Sequence, residues 1–201
     1  MKFIPSLTQT SPTHKKHTPM NSNTAFAIGV GMNTTSRDID TLDLLEISMA
    51  SYNSDFMLLN QITLVIGHNL ADLHFDGMTA KTYADSGLLD DVNDCTCTIA
   101  YAHTHIRDWL ERQYNTTSHI PYLLSNDDAF VRAVLKRFMP ETLEFLNDTT
   151  IDTTAIEIIA KTQDVPIRVS QYTSSAFHQA KRCASVISQG YITPLQTGGK
   201  A

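Results

Sequence analysis

The chain has 201 residues, enough for one domain with a full hydrophobic core and short for two. Hydrophobic residues make up 42% and charged residues 18%, with 8 Gly and 7 Pro, which excludes collagen-like, low-complexity and wholly disordered classes. The formal charge of -6 is unevenly spread: residues 1–37 carry Lys2, Lys15, Lys16 and Arg37 and no acid, whereas the other 11 basic residues (15 less 4) face all 21 acids.

Residues 1–23 are rich in Ser, Thr, Pro, His and Lys and poor in apolar side chains, so they read as an extended arm, with Met20 an alternative start. No secretory signal is expected, because Met1-Lys2-Phe3-Ile4 runs at once into Pro5 and polar residues. The acid-free, hydroxyl-rich start also has the composition of an organelle-targeting segment, although no arginine precedes Arg37. No apolar run approaches the roughly 20 residues of a membrane span. Three cysteines, Cys95, Cys97 and Cys183, are too sparse for a disulfide framework, which points to an intracellular, cytoplasmic setting.

Thr24–Met32 is short, apolar and glycine-containing, more like a strand or buried turn than a helix. Gly29-Val30-Gly31 lacks both the third glycine of a dinucleotide fingerprint and the Gly-Lys-Ser/Thr of a P-loop. Helical spacing follows. Ile39, Leu42, Leu45 and Met49 make one stripe, and Leu58, Ile62, Val65, Ile66, Leu70 and Leu73 a second. Within the second, Ile62–Gly67 would pass for a strand if read alone. Ile99, Ala102, Ile106, Leu110 and Tyr114 form a third stripe. Ser125-Asn126-Asp127-Asp128 caps a helix through Phe138 that Pro140 ends, and Thr153–Lys161 and Val169–Ile187 supply two more. The expected fold is mainly α: a bundle of about six to seven helices over 24–190, with at most a short N-terminal strand, an arm at 1–23 and a tail at 191–201.

Two constellations could carry chemistry. Cys95, Cys97, His103 and His105 suit zinc by residue type. Residues two apart on a helix are rotated by about 200°, however, so neither pair could chelate one ion from a regular helix. They are weak metal candidates, alternatives to an expectation of no metal and no cofactor. No Gly-x-Ser-x-Gly elbow and no His-Glu-x-x-His is present, so no catalytic residue is expected.

Residues 153–187 place two helices around Thr162-Gln163-Asp164-Val165-Pro166, and this resembles a helix-turn-helix in broad outline. Asp164 stands where that turn has glycine, and Val169 falls one position early. The resemblance implies DNA contacts from Arg168, Gln171, Ser174, His178, Lys181 and Arg182. The same pattern is similar to the helical lid of AAA+ ATPases, without a Walker A motif. A well-patterned core with no convergent catalytic set favours a non-enzymatic interaction or assembly subunit: a scaffold, coat or adaptor whose basic arm docks on a protein partner or on another copy. DNA binding and a zinc-dependent enzyme are the two alternatives.

Overall fold

The computed structural model describes residues 24–115, 119–162, 176–187 and 189. The expected arm, the C-terminal tail and the turn of the helix-turn-helix lie outside them. The described residues build a five-stranded mixed sheet flanked by helices on both faces, which corrects the expectation of a mainly helical bundle. The sheet runs in the order β3-β2-β1-β4-β5, with β1 Ala27–Thr34, β2 Leu44–Tyr52, β3 Leu58–Val65, β4 Tyr122–Ser125 and β5 Thr150–Asp152. The first three strands pair antiparallel, whereas β1–β4 and β4–β5 are parallel. The helices are α1 Thr79–Asp85, α2 Leu88–Asp94, α3 Ile99–Tyr114, α4 Asp128–Phe138, α5 Thr153–Thr162 and α6 Ala176–Ile187.

Two predicted helical stripes are strands. Every residue of β2 is buried, because the strand is covered on both faces, and a doubly covered strand shows no alternation to tell it from a buried helix. Ile47 and Met49 enter the core beneath α3 and α4, while Ala50 and Tyr52 face α6. The second stripe breaks at Gly67. Up to Val65 it pairs residue by residue with β2, as Glu46↔Val65 and Ile47↔Leu64. The β-branched Ile62, Thr63 and Val65 favour that extended backbone. Asn53 holds the hairpin between these strands by accepting the amides of Asp55 and Met57 at 3.0 and 2.9 Å.

The helices with clear caps are where the sequence puts them. Thr98 caps α3 by accepting the Tyr101 amide at 3.2 Å, and Ala102, Ile106, Trp109 and Leu110 bury one face. Asp127 caps α4 through the Phe130 amide at 3.2 Å, and Val131, Val134 and Leu135 join the same core. Of the expected helix at Val169–Ile187, the part from Ala176 onward is α6.

β1 is the centre of the sheet, and its two faces differ. Ile28, Val30 and Met32 pack into the core with α3 and α4. Ala27, Gly29 and Gly31 share the other face, as the period of two requires, and α6 lies against them. The approach is close enough that a Cβ on Gly29 would sit 2.6 Å from the Ala180 carbonyl oxygen. A Cβ on Gly31 would fall inside any allowed distance from the Ala176 carbonyl oxygen. The glycines are therefore a packing requirement, not a phosphate loop. Alanines at 176, 180 and 184 keep the matching helix face thin.

Gly31→Ala should cost about 1–3 kcal/mol or more by overpacking this contact. Gly29→Ala should cost less than Gly31→Ala, because the clash is milder. Urea unfolding of the two variants beside the parent chain checks the order.

Candidate functional site

β1 and β4 run parallel, but β4 ends at Ser125 and turns into α4, whereas β1 runs on to Thr34 before turning back into β2. That arrangement leaves a crevice at the carboxyl ends, the usual ligand position in sheets of this kind. Here it is a cleft of about 410 Å³. β1 contributes Met32, Asn33 and Thr34 to it, the β4–α4 junction Asn126 and Asp127, α5 Thr153 and Glu157, and α6 His178, Gln179, Arg182 and Cys183. Ser36, Arg37, Asp76, Thr79 and Tyr83 close the remaining side.

A polar network beneath the cleft ties α6 to the sheet. Glu46 of β2 is buried, and its Oε2 accepts the Asn33 side-chain amide at 2.7 Å and the Ala176 backbone amide at 3.0 Å. Ala176 opens α6, so the carboxylate meets the positive end of that helix. Gln179 donates from Nε2 to Asn33 Oδ1 at 2.9 Å and accepts the Met32 amide at 3.4 Å. Burial raises the Glu46 pKa above the usual carboxylate value. The Ala176 and Asn33 hydrogen bonds oppose that rise, and His178 lends a smaller opposing charge.

The walls are charged, and the charges are paired. Arg37 meets Asp127 and stacks over the Phe130 ring, 4.2 Å from its centroid. Arg182 donates to Glu157 at 2.9 Å, with both side chains about four-fifths buried. Asp76 accepts the Thr79 hydroxyl at 2.8 Å. Tyr83 donates to the Thr34 carbonyl at 3.2 Å, and burial raises its pKa. Cys183 lies buried at the floor, where burial pushes its thiol up and the Thr153 hydroxyl donates to its sulfur at 3.7 Å.

The sequence-derived candidates divide. Of the six residues assigned to DNA contact, His178 and Arg182 line this cleft, Lys181 is exposed outside it, and Arg168, Gln171 and Ser174 lie outside the described residues. The helix that carries them is seated on the sheet through Ala176, Ala180, Cys183, Ala184 and Ile187, so it cannot enter a DNA groove as a recognition helix. The zinc candidates do not come together either. Cys95 follows α2 and donates to the Val65 carbonyl at 3.3 Å, whereas His103 and His105 ride on α3, His105 with its ring 4.0 Å from that of Tyr101. Among the described residues no group of three or more His, Cys, Asp or Glu side chains could hold a metal ion. The cleft residues Asn33, Arg37, Asp127 and Glu157 were missed as site residues, because they come from segments scattered between positions 33 and 157.

No protein-family model matches the chain. It is 30% identical over 125 residues to an oligoribonuclease of Nocardia farcinica, across 61% of this chain and 57% of that protein. The chain thus matches less than two thirds of this relative's length. Three solved structures superpose with a TM-score of 0.55. S. pombe Pop2p in its Mg2+- and Mn2+-bound form does so at 12% identity, over 84% of each chain. The nuclease domain of 3'hExo, a DEDDh family member bound to rAMP, does so at 10% identity, over 89% of this chain and 95% of that one. A 3'-exonuclease recognising the 3'-end of a histone mRNA stem-loop does so at 10% identity, over 91% and 68%. The sheet and its helices therefore match the DEDDh exonuclease α/β fold. These likenesses, with the oligoribonuclease relative, overturn the reading as an all-α scaffold, coat or adaptor. None of them supports a protein partner. No helix among the described residues is long and apolar enough to cross a membrane.

Replacing Glu46 tests the network under the cleft. Glu46→Ala removes the acceptor that the Asn33 side chain and the Ala176 amide share, for about 1–3 kcal/mol. Glu46→Gln keeps an oxygen there and should cost far less. Because the folded-state pKa is raised, ionisation of Glu46 opposes folding, so its contribution is greatest below 4.5 and is lost as pH rises through the folded value. Stability measured against pH should therefore fall less steeply above 4.5 in Glu46→Gln than in the parent.

Proposed function

We propose that the chain engages short RNA and seats its 3'-terminal nucleotide in the cleft at the ends of β1 and β4. The carrying observation is the cleft itself: a nucleotide-sized crevice, at the ligand position of the fold, with Arg37 and Arg182 both in its lining. The oligoribonuclease relative supports short RNA as the ligand class, and the fold likeness to a nuclease domain solved with rAMP supports a nucleotide in this fold. The charges of the cleft agree with that ligand. A guanidinium offers five donors in a planar fork, and one carboxylate oxygen does not exhaust them. Arg37 is two-thirds exposed and stacked on Phe130, so it can turn toward a phosphate while keeping its aromatic neighbour. Asn126 supplies a neutral side chain of the kind that reads a ribose hydroxyl or a base edge.

An intracellular setting suits this reading, since Cys95, Cys97 and Cys183 are free thiols.

The test is fluorescence anisotropy with 5'-labelled tri- to pentaribonucleotides. Binding should weaken when the 3'-hydroxyl is replaced by a phosphate, and a ligand indifferent to its 3' end would defeat the proposal. Arg37→Ala and Arg182→Ala should each weaken binding. Each should also lower the slope of log affinity against log salt by about 0.7, the value for one lost phosphate contact on a single strand.

A further inference from the structure

The likeness to a structure holding Mg2+ and Mn2+ raises the question of a divalent ion in this cleft. Such an ion takes oxygen ligands at about 2.0–2.1 Å in a near-octahedral shell, and in phosphate chemistry one or two carboxylates must be free to bind it. The donors here do not meet that demand. Asp127 and Glu157 are each bound by an arginine, and Glu46 is sunk below the cleft, its Oε2 taken up by two amides. Asp76, the remaining carboxylate of the lining, accepts the Thr79 hydroxyl and belongs to no group of three or more His, Cys, Asp or Glu side chains among the described residues that could hold a metal ion. A guanidinium on a carboxylate already supplies the positive charge that a metal would bring. A cation entering beside it would have to displace the arginine and then tolerate its charge a few ångströms away.

The sheet offers no further ligand in their place. The face of β1 toward α6 carries Ala27, Gly29 and Gly31, and the helix backbone fills the space where longer side chains would project. Asn33, at the strand's end, donates its amide to Glu46, and an amide is a poorer ligand than a carboxylate for a hard cation. Outside the described residues the sequence holds one acid, Asp164.

We propose that the cleft holds RNA without a divalent metal, with Arg37 and Arg182 standing on the carboxylates that a metal would need. This rests on RNA as the ligand and deepens it: the bound strand is retained and is not shortened by metal-dependent hydrolysis. Arginine–carboxylate pairs then do two jobs. They hold Asp127 at the start of α4 and Glu157 on α5, and they offer their outer N–H groups to phosphate.

The test uses the full chain and the double variant Asp127→Asn with Glu157→Gln. Asparagine keeps the oxygen that caps α4, and circular dichroism confirms that the variant is folded. Mn2+ uptake is read from the electron paramagnetic resonance signal of the free ion. The two proteins should take up the same amount, because neither carboxylate is a ligand. In parallel, a 5'-labelled pentaribonucleotide is followed by anisotropy in EDTA, Mg2+ and Mn2+ at matched ionic strength, and its length is read on a gel. The expected result is equal affinity in all three and no loss of 3'-terminal nucleotides. Mn2+ uptake that the double variant loses would overturn the proposal, as would Mn2+-dependent shortening that it abolishes. If the RNA does not bind even in EDTA, the proposed function falls, and the Mn2+ comparison still decides the metal question separately.

Discussion

Everything around the cleft depends on how closely one helix can approach one strand. α6 reaches the backbone of β1 because positions 29 and 31 have no side chains and because alanines line the helix face. Glycine in a strand normally weakens it, through backbone entropy and the loss of a side chain to pack. Here the loss is offset by the burial of Ala180, Cys183, Ala184 and Ile187 against Ala50, Tyr52 and Leu124. The buried Glu46 then fixes the helix along its axis. It receives the first amide of α6 and the Asn33 side chain together, so a slide of one turn would strand both donors. Position across the strand is set by shape, and position along it by hydrogen bonds.

That docking determines the character of the cleft. Gln179 leaves α6 toward the end of β1, whereas Arg182 leaves it toward α5 and meets Glu157 there at low exposure. A largely buried pair of this kind is not strong evidence for stability, since desolvation offsets much of the attraction. Its importance lies in geometry. The arginine holds the α5 carboxylate in one orientation, and the carboxylate holds the arginine at the cleft wall. Elsewhere in the lining the Arg37–Asp127 pair is far more exposed and stacks on Phe130, so it is looser and better able to follow a ligand. One wall is rigid and the other compliant.

Legibility in the sequence followed local chemistry. α3, α4 and α5 could be found because their apolar positions, and at α4 the cap at Asp127, carry their signal within four or five residues. β2 and β3 could not. Leu45 to Met49 is buried on both faces, so the spacing of its apolar residues imitates a helix, and only the partner strand resolves the difference. Ile62–Gly67 held the correct signal, but it was outweighed by the longer stripe running on to Leu73. The cleft was still less legible. His178 and Arg182 were singled out for the wrong geometry, as groove-reading side chains on a free helix. Asn33 and Glu46, thirteen residues apart, become partners only through the antiparallel pairing of β1 with β2.

The same close approach restricts how this protein can change. A new side chain at position 29 or 31 must wait for α6 to move, and α6 cannot move while Glu46 grips its first turn. A substitution that freed the helix would in turn expose Ala180 and Cys183 before any new residue on β1 could compensate. Single steps out of the present arrangement therefore pass through destabilised intermediates, whereas substitutions on the compliant wall at Arg37 and Phe130 do not. Evolutionary drift in this molecule should accordingly be channelled into the rim of the cleft, with the strand behind it locked.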